Sequence, residues 1–136
     1  MFRNLDGGKE MKSKKELRNE LMNYPFIKPD PKLQRNLMQF GLDVGVGWLG
    51  IIKEAWDKIN ELENLPENFE IFQVKEKFGE LTIYPEEYNE DINDILLKAR
   101  QKSIHTCEIC GSEFAQKENI NGWFKTICEK CKGEKK

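Results

Sequence analysis

FEIFQVKEKFGELTIY, residues Phe69 to Tyr84, is the stretch that decides the fold class. It is rich in β-branched and aromatic residues and is interrupted once, at Phe78-Gly79, where glycine can take the positive φ that a tight strand connection requires. We read a β-hairpin with arms over about Ile71 to Lys75 and Leu81 to Tyr84. Pro85, which lacks a backbone donor, ends the second arm.

Working outward from the hairpin, the flanking segments change period from two to between three and four. Upstream, Trp48, Ile52, Ala55, Ile59 and Leu62 recur on one helical face, with Ile51 and Trp56 widening the stripe, and Leu65-Pro66 stops the helix. Gly41, Gly45, Gly47 and Gly50 crowd its start and point to a tight turn or a close backbone approach. A phosphate-binding loop would need a Gly-Lys-Ser/Thr ending, which is missing. Downstream, a helix over roughly Glu87 to Ser103 places Ile92, Ile95, Leu96 and Ala99 on a buried stripe, with Asp91 and Asp94 in its early turns near the positive end of the dipole. These elements predict an α+β core over residues 32–103, with helices packed on a small antiparallel hairpin or sheet.

Residues 1–31 read as a flexible lead-in, a short helix and a proline-rich connector separating that helix from the core. Ser13 followed by Glu16 is a capping-box pair, Leu17 and Leu21 share a face of a helix ending near Asn23, and Pro25, Pro29 and Pro31 keep the connector extended and non-helical.

The last segment, residues 104–136, reads as a zinc-ribbon-like module. Cys107 and Cys110 are two residues apart, as are Cys128 and Cys131, with seventeen residues between the pairs. That spacing lets two knuckles aim four sulfurs at one ion, and four thiolates leave no open coordination position. The expected cofactor is therefore a structural Zn²⁺. His105, the single histidine, is surplus to four cysteines. Trp123, Phe124 and Lys125 form an aromatic-basic cluster of the kind that stacks on bases and holds phosphate. The preferred reading is that the two aromatics cover the module's own small core.

Charge is unevenly distributed along a chain whose net charge is only −2. Residues 54–97 carry thirteen acids against three lysines, whereas residues 1–53 carry ten Lys/Arg against six acids and residues 98–136 carry nine against five. An acidic face attracts basic partners and repels nucleic acid; the plainer alternative is that these acids solvate exposed helix and hairpin surfaces. No stretch has the length of apolar sequence needed to span a bilayer, and no secretory signal pattern opens the chain, so a cytoplasmic protein is expected. A reducing compartment favours metal-bound cysteines over disulfides. No nucleophile elbow, His-Glu-x-x-His helix or P-loop is present, and a lone histidine cannot serve a histidine-metal nuclease, so a non-enzymatic role is expected.

GVGWLGII at Gly45 to Ile52, QVKEKFGELTIY at Gln73 to Tyr84, TCEICG at Thr106 to Gly111 with Ser103 before it, and GWFKTICEKC at Gly122 to Cys131 occur in this order in small phage and prophage proteins. Over roughly residues 37 to 131 the chain resembles that uncharacterised family, Lys75-Glu76-Lys77-Phe78-Gly79 followed by the cysteine pairs being its most specific element. The resemblance implies a phage accessory product in a host cytoplasm and supplies no catalytic residues. In general character, small, acidic in its middle and metal-stapled, the chain is similar to anti-CRISPR proteins. That analogy implies an inhibitor which binds a host protein, such as a Cas effector nuclease, and blocks its nucleic-acid loading. Glu86, Glu87, Glu90, Asp91 and Asp94 are the partner-binding candidates. The alternative is a nucleic-acid-binding zinc ribbon, a transcription or replication accessory, using Trp123, Phe124 and Lys125, with Lys130, Lys132, Lys135 and Lys136 available for phosphate.

Overall fold

A computed structural model describes residues 13–134. In chain order its regular elements are helix α1 (Lys14–Leu21), strand β1 (Leu42–Asp43), helix α2 (Leu49–Asn60), strands β2 (Ile71–Lys77) and β3 (Glu80–Pro85), helix α3 (Glu90–Ser103), strands β4 (Gln116–Ile120) and β5 (Trp123–Ile127), and helix α4 (Glu129–Glu134). They build an α+β core around a three-stranded sheet in the order β1-β2-β3, followed by a two-stranded β4-β5 ribbon. The lead-in predicted over Met1 to Lys12 lies outside the described residues.

The predicted hairpin is present and longer than its expected arms. Phe78 and Gly79 both have positive φ, +55° and +81°, so the strands join through a two-residue connection of the type whose twist matches that of paired strands. Glycine tolerates this conformation; for Phe78, which carries a Cβ, it costs about 1 kcal/mol. The sheet is mixed rather than purely antiparallel, because β1 runs parallel to β2 with Leu42 opposite Val74 and Asp43 opposite Lys75. Two residues carry no readable period, which is why β1 leaves no trace in the sequence.

Caps set the helix boundaries. At α1 the Ser13 hydroxyl accepts from the Glu16 N–H at 3.0 Å and the Ser13 N–H donates to the Glu16 carboxylate at 2.9 Å, completing the predicted capping box. At α3 the Asn89 side chain accepts from the Ile92 N–H at 2.8 Å, so the helix starts at Glu90 rather than at Glu87.

The core forms where α2 and α3 lay their apolar stripes on the inner face of β2 and β3. Trp48 and Trp56 are fully buried at its centre, with Ile52, Ile59, Ile71, Val74 and Ile92 around them. Each indole N–H has a partner: Trp56 donates to the Leu21 carbonyl at 2.9 Å and Trp48 to the Thr106 carbonyl at 2.8 Å. The first bond contradicts the expected separation of residues 1–31 from the core. Leu21, Phe26 and Ile27 are themselves buried core residues, and the Phe26 ring meets Trp56 edge-on with centroids 5.5 Å apart. The prolines shape the connector into a strap across the core.

Buried polar groups fasten that strap. The Asp30 carboxylate accepts backbone N–H bonds from Arg35, Lys32 and Gln34, which hold it below the usual carboxylate range. Arg35 donates to both Glu70 oxygens at 3.0 and 3.1 Å, and the buried Asn36 amide donates to Glu70 and to the Lys28 carbonyl, each at 2.8 Å. No apolar pattern marks these residues.

The glycine cluster resolves into a close approach. A Cβ on Gly47 would lie 2.0 Å from the Cys107 carbonyl oxygen, and one on Gly45 would lie 2.2 Å from that of Glu108, whereas Gly50 in α2 faces open space. Gly47→Ala should therefore lower unfolding free energy by about 3 kcal/mol or more. Gly50→Ala should raise it by about 0.5–1 kcal/mol, since alanine favours the helix. Urea denaturation of the two variants beside the parent checks both signs; equal midpoints would contradict the close approach.

Candidate metal centre

The first knuckle, Cys107 to Gly111, follows α3 after a short turn. The Gly111 N–H returns to the Cys107 carbonyl at 2.9 Å, with Gly111 at φ +84°, and the Cys107 N–H donates to the Ser112 carbonyl at 2.8 Å. Glycine is needed here because this turn requires the left-handed conformation. Cys128 leaves β5, and Cys131 lies on α4, whose start is tied by the Lys132 N–H to the Cys128 carbonyl at 2.9 Å.

These elements bring the four Sγ atoms within 4.8 Å of one another. Cys110 and Cys128 are 3.7 Å apart, far beyond the about 2.05 Å of a disulfide. The separation matches the about 3.8 Å edge of a tetrahedron built on Zn–S bonds of about 2.3 Å. Cys107, Cys128 and Cys131 are buried, and Cys110 is exposed. Burial raises the Cys107 thiol, but backbone N–H groups of Cys110, Cys128 and Ile109 bring it down to about 7. Burial pushes the Cys131 thiol upward, as do its hydrogen bonds with the other three sulfurs. Four sulfurs this close cannot all ionise without a cation among them, and a divalent metal such as zinc supplies the compensating charge. The donor set and spacing fit a closed, four-coordinate site.

Two further residues, which sequence reasoning missed, lock the centre to the core. Glu108, 6% exposed, donates its N–H to the Thr126 carbonyl and accepts the Thr126 N–H at its carboxylate, both at 3.0 Å. Burial raises the Glu108 pKa, opposed by the Thr126 N–H and by Lys125, whose Nζ lies 3.6 Å away. The Thr126 hydroxyl donates to the Gly79 carbonyl at 2.6 Å, joining β5 to the hairpin tip. The only hint in the sequence is that Glu108 lies inside a knuckle and Thr126 two residues before a ligand.

The ribbon's small core consists of Ala115, Ile127 and the buried cysteines, with Ile120 against them. Trp123 is 73% exposed and Phe124 41%, so the expectation that they cover this core fails. Nor do Trp123, Phe124 and Lys125 form one cluster. Strand alternation puts Trp123 and Lys125 on one face, with Ile120 and Glu118 opposite them, and Phe124 on the other face. His105 is exposed and stands outside the sulfur cluster.

Glu86, Glu87, Glu90, Asp91 and Asp94 are all exposed, around the β3–α3 connection and the first turns of α3. Asp91 accepts from the Asn64 side chain at 3.0 Å, Glu86 lies in the field of Arg35, and Glu87, Glu90 and Asp94 have no cationic partner among the described residues. The ribbon lysines are different. Lys117 pairs with Glu80 at 2.8 Å, Lys125 with Glu108 at 3.6 Å and Lys132 with Glu118 at 2.9 Å. Among the described residues no helix is long and apolar enough to cross a membrane.

Comparison of the chain with protein-family models, with curated proteins and with solved structures finds no match. Together, the fold and site define an α+β protein with a four-cysteine centre able to hold a metal ion such as zinc.

Purified protein should carry about one zinc per chain by elemental analysis. Cys107→Ser or Cys128→Ser should lose it, together with amide protection in residues 104–132. Because each thiol must release its proton to bind metal, zinc affinity should fall steadily as pH is lowered. A competition titration that found affinity unchanged down to pH 5 would contradict thiolate ligation.

Proposed function

We propose that this is a non-enzymatic binding protein, stapled by a structural Zn²⁺, whose target is a host protein. The observation that carries the reading is the contrast between the two charged regions. Three exposed carboxylates at and just before the head of α3, Glu87, Glu90 and Asp94, stand without cationic partners among the described residues, while the lysines at 117, 125 and 132 are each paired with a glutamate and Lys130 on α4 is not. Unpaired exposed charge is available to a partner of opposite sign and supplies association rate and partner selectivity. The closed four-thiolate geometry supports a structural metal, with no open position for a reacting water.

The resemblance to phage and prophage proteins narrows the proposal to an accessory factor of anti-CRISPR type acting in the host cytoplasm. On this reading Glu86, Glu87, Glu90, Asp91 and Asp94 occupy the basic channel of a Cas effector nuclease and exclude its nucleic acid. Nucleic-acid binding through the ribbon is the second reading, favoured by the exposure of Trp123.

The test is an affinity pull-down from host lysate with nuclease treatment, comparing the parent with a Glu87→Lys, Glu90→Lys, Asp94→Lys variant. The expected outcome is a nuclease-resistant protein partner whose recovery falls at least about tenfold in the variant. Unchanged recovery would remove the acidic region from the mechanism, and recovery abolished by nuclease would favour the second reading.

A further inference from the structure

The outward side of the hairpin meets the ribbon in a groove of about 490 Å³ that the proposed function does not use. Two exposed rings mark its mouth: Phe78 at the hairpin tip and Phe124 on β5, 63% and 41% exposed, with centroids 6.4 Å apart in an edge-to-face arrangement. Phe78 combines two unfavourable features, an exposed aromatic surface and a positive φ that asparagine or glycine would adopt with less strain. The contact the ring makes within the fold is the edge-on one with Phe124. A bulky ring held rigidly at a two-residue turn is well placed as an anchor for something that binds.

Cations accompany the rings. The Lys77 Nζ lies 6.0 Å from the Phe78 centroid and the Lys117 Nζ lies 5.4 Å from that of Phe124. Arg100 reaches the same groove from α3. Among the described residues Glu80 is the one carboxylate lining it, bound by Arg100 at 2.7 Å and Lys117 at 2.8 Å, and Lys77 makes no ion pair with a described residue. Three cations around one carboxylate leave the groove positive within a protein whose net charge is negative. Tyr84, opposite Gln73 on the outer face of the sheet, extends the aromatic lining inward.

We propose that this groove binds single-stranded nucleic acid. A single strand repeats one ring and one negative charge per nucleotide, and the groove offers a cation beside each of two exposed rings. Bases stack on Phe78 and Phe124, and phosphates lie first against Lys77, which makes no ion pair with a described residue, with the excess positive charge of Lys117 and Arg100 over their shared Glu80 beside it. An acidic protein segment would satisfy the cations but leave the rings exposed. The surface is distinct from the carboxylates at the head of α3 and from the Trp123 face of the ribbon.

The experiment is fluorescence anisotropy of a short labelled oligothymidine against the zinc-loaded full chain, at low and at physiological salt, with thermal melts alongside. The parent should bind, and affinity should fall steeply as salt rises. Phe78→Gly should weaken binding about tenfold while changing the melting temperature little, because relief of the strained turn offsets the lost edge-on contact with Phe124. Lys77→Glu should weaken binding and flatten its salt dependence. Absence of oligothymidine binding, or parent-like binding by Phe78→Gly, would overturn the proposal. Binding of a poly-glutamate peptide in place of the oligonucleotide would also overturn it, in favour of an acidic protein ligand. A charge-reversed α3 variant that lost its protein partner yet still bound oligothymidine would separate this groove from the proposed inhibitor surface.

Discussion

The structure depends on the seating of the first cysteine knuckle against the turn that begins α2. The Gly47 N–H donates to the Glu108 carbonyl at 2.9 Å, the Trp48 indole donates to the Thr106 carbonyl, and the missing side chains of Gly45 and Gly47 make room for the knuckle backbone. Trp48 is the link that makes this contact global, because the same side chain is fully buried in the main core. A metal-binding loop thus shares its packing and its hydrogen bonds with the centre of the domain. The four-cysteine module is therefore not an independent appendage.

A second connection runs through the hairpin. Thr126, fully buried, bonds to Glu108 in the knuckle and to Gly79 at the hairpin tip, while Phe124 beside it packs on Phe78. Within β3, the Leu81 N–H donates to the Ser103 hydroxyl at the close of α3, a few residues before the first ligand. The four-cysteine centre, ribbon, hairpin and α3 therefore form one closed circuit of contacts. A chain with only 38% apolar residues has limited area to bury, and a metal ion held by the four cysteines would join separate parts of the circuit and offset that shortage.

The same arrangement explains how surfaces of opposite character coexist on a small protein. The head of α3 carries carboxylates at the end of the helix opposite the four-cysteine centre, where the helix dipole favours them. The C-terminal end of the same helix contributes Arg100 to the groove between hairpin and ribbon. One helix therefore separates the two charges along its length, and the sheet and ribbon fix the distance between the regions.

Local chemistry alone made much of this protein legible. The cysteine spacing marks the metal centre because tetrahedral geometry needs two knuckles, and the hairpin, the stripes of α2 and α3 and the Ser13 capping box are each written in patterns shorter than one element. The glycine cluster announced a tight turn or a close approach, and the packing of Gly45 and Gly47 on the knuckle decided between them. Tertiary structure alone decided whatever depends on residues distant in sequence. β1 exists because Leu42 and Asp43 fall beside Val74 and Lys75, and the proline-rich strap joins the core because Phe26 meets Trp56 and Arg35 meets Glu70. Phe124 lies with Phe78 instead of with Trp123 because alternation along β5 sends sequence neighbours to opposite faces. Periodicity and spacing report how a chain behaves over a few residues; which surfaces then meet is set by how whole elements pack, and that information is spread over the entire core.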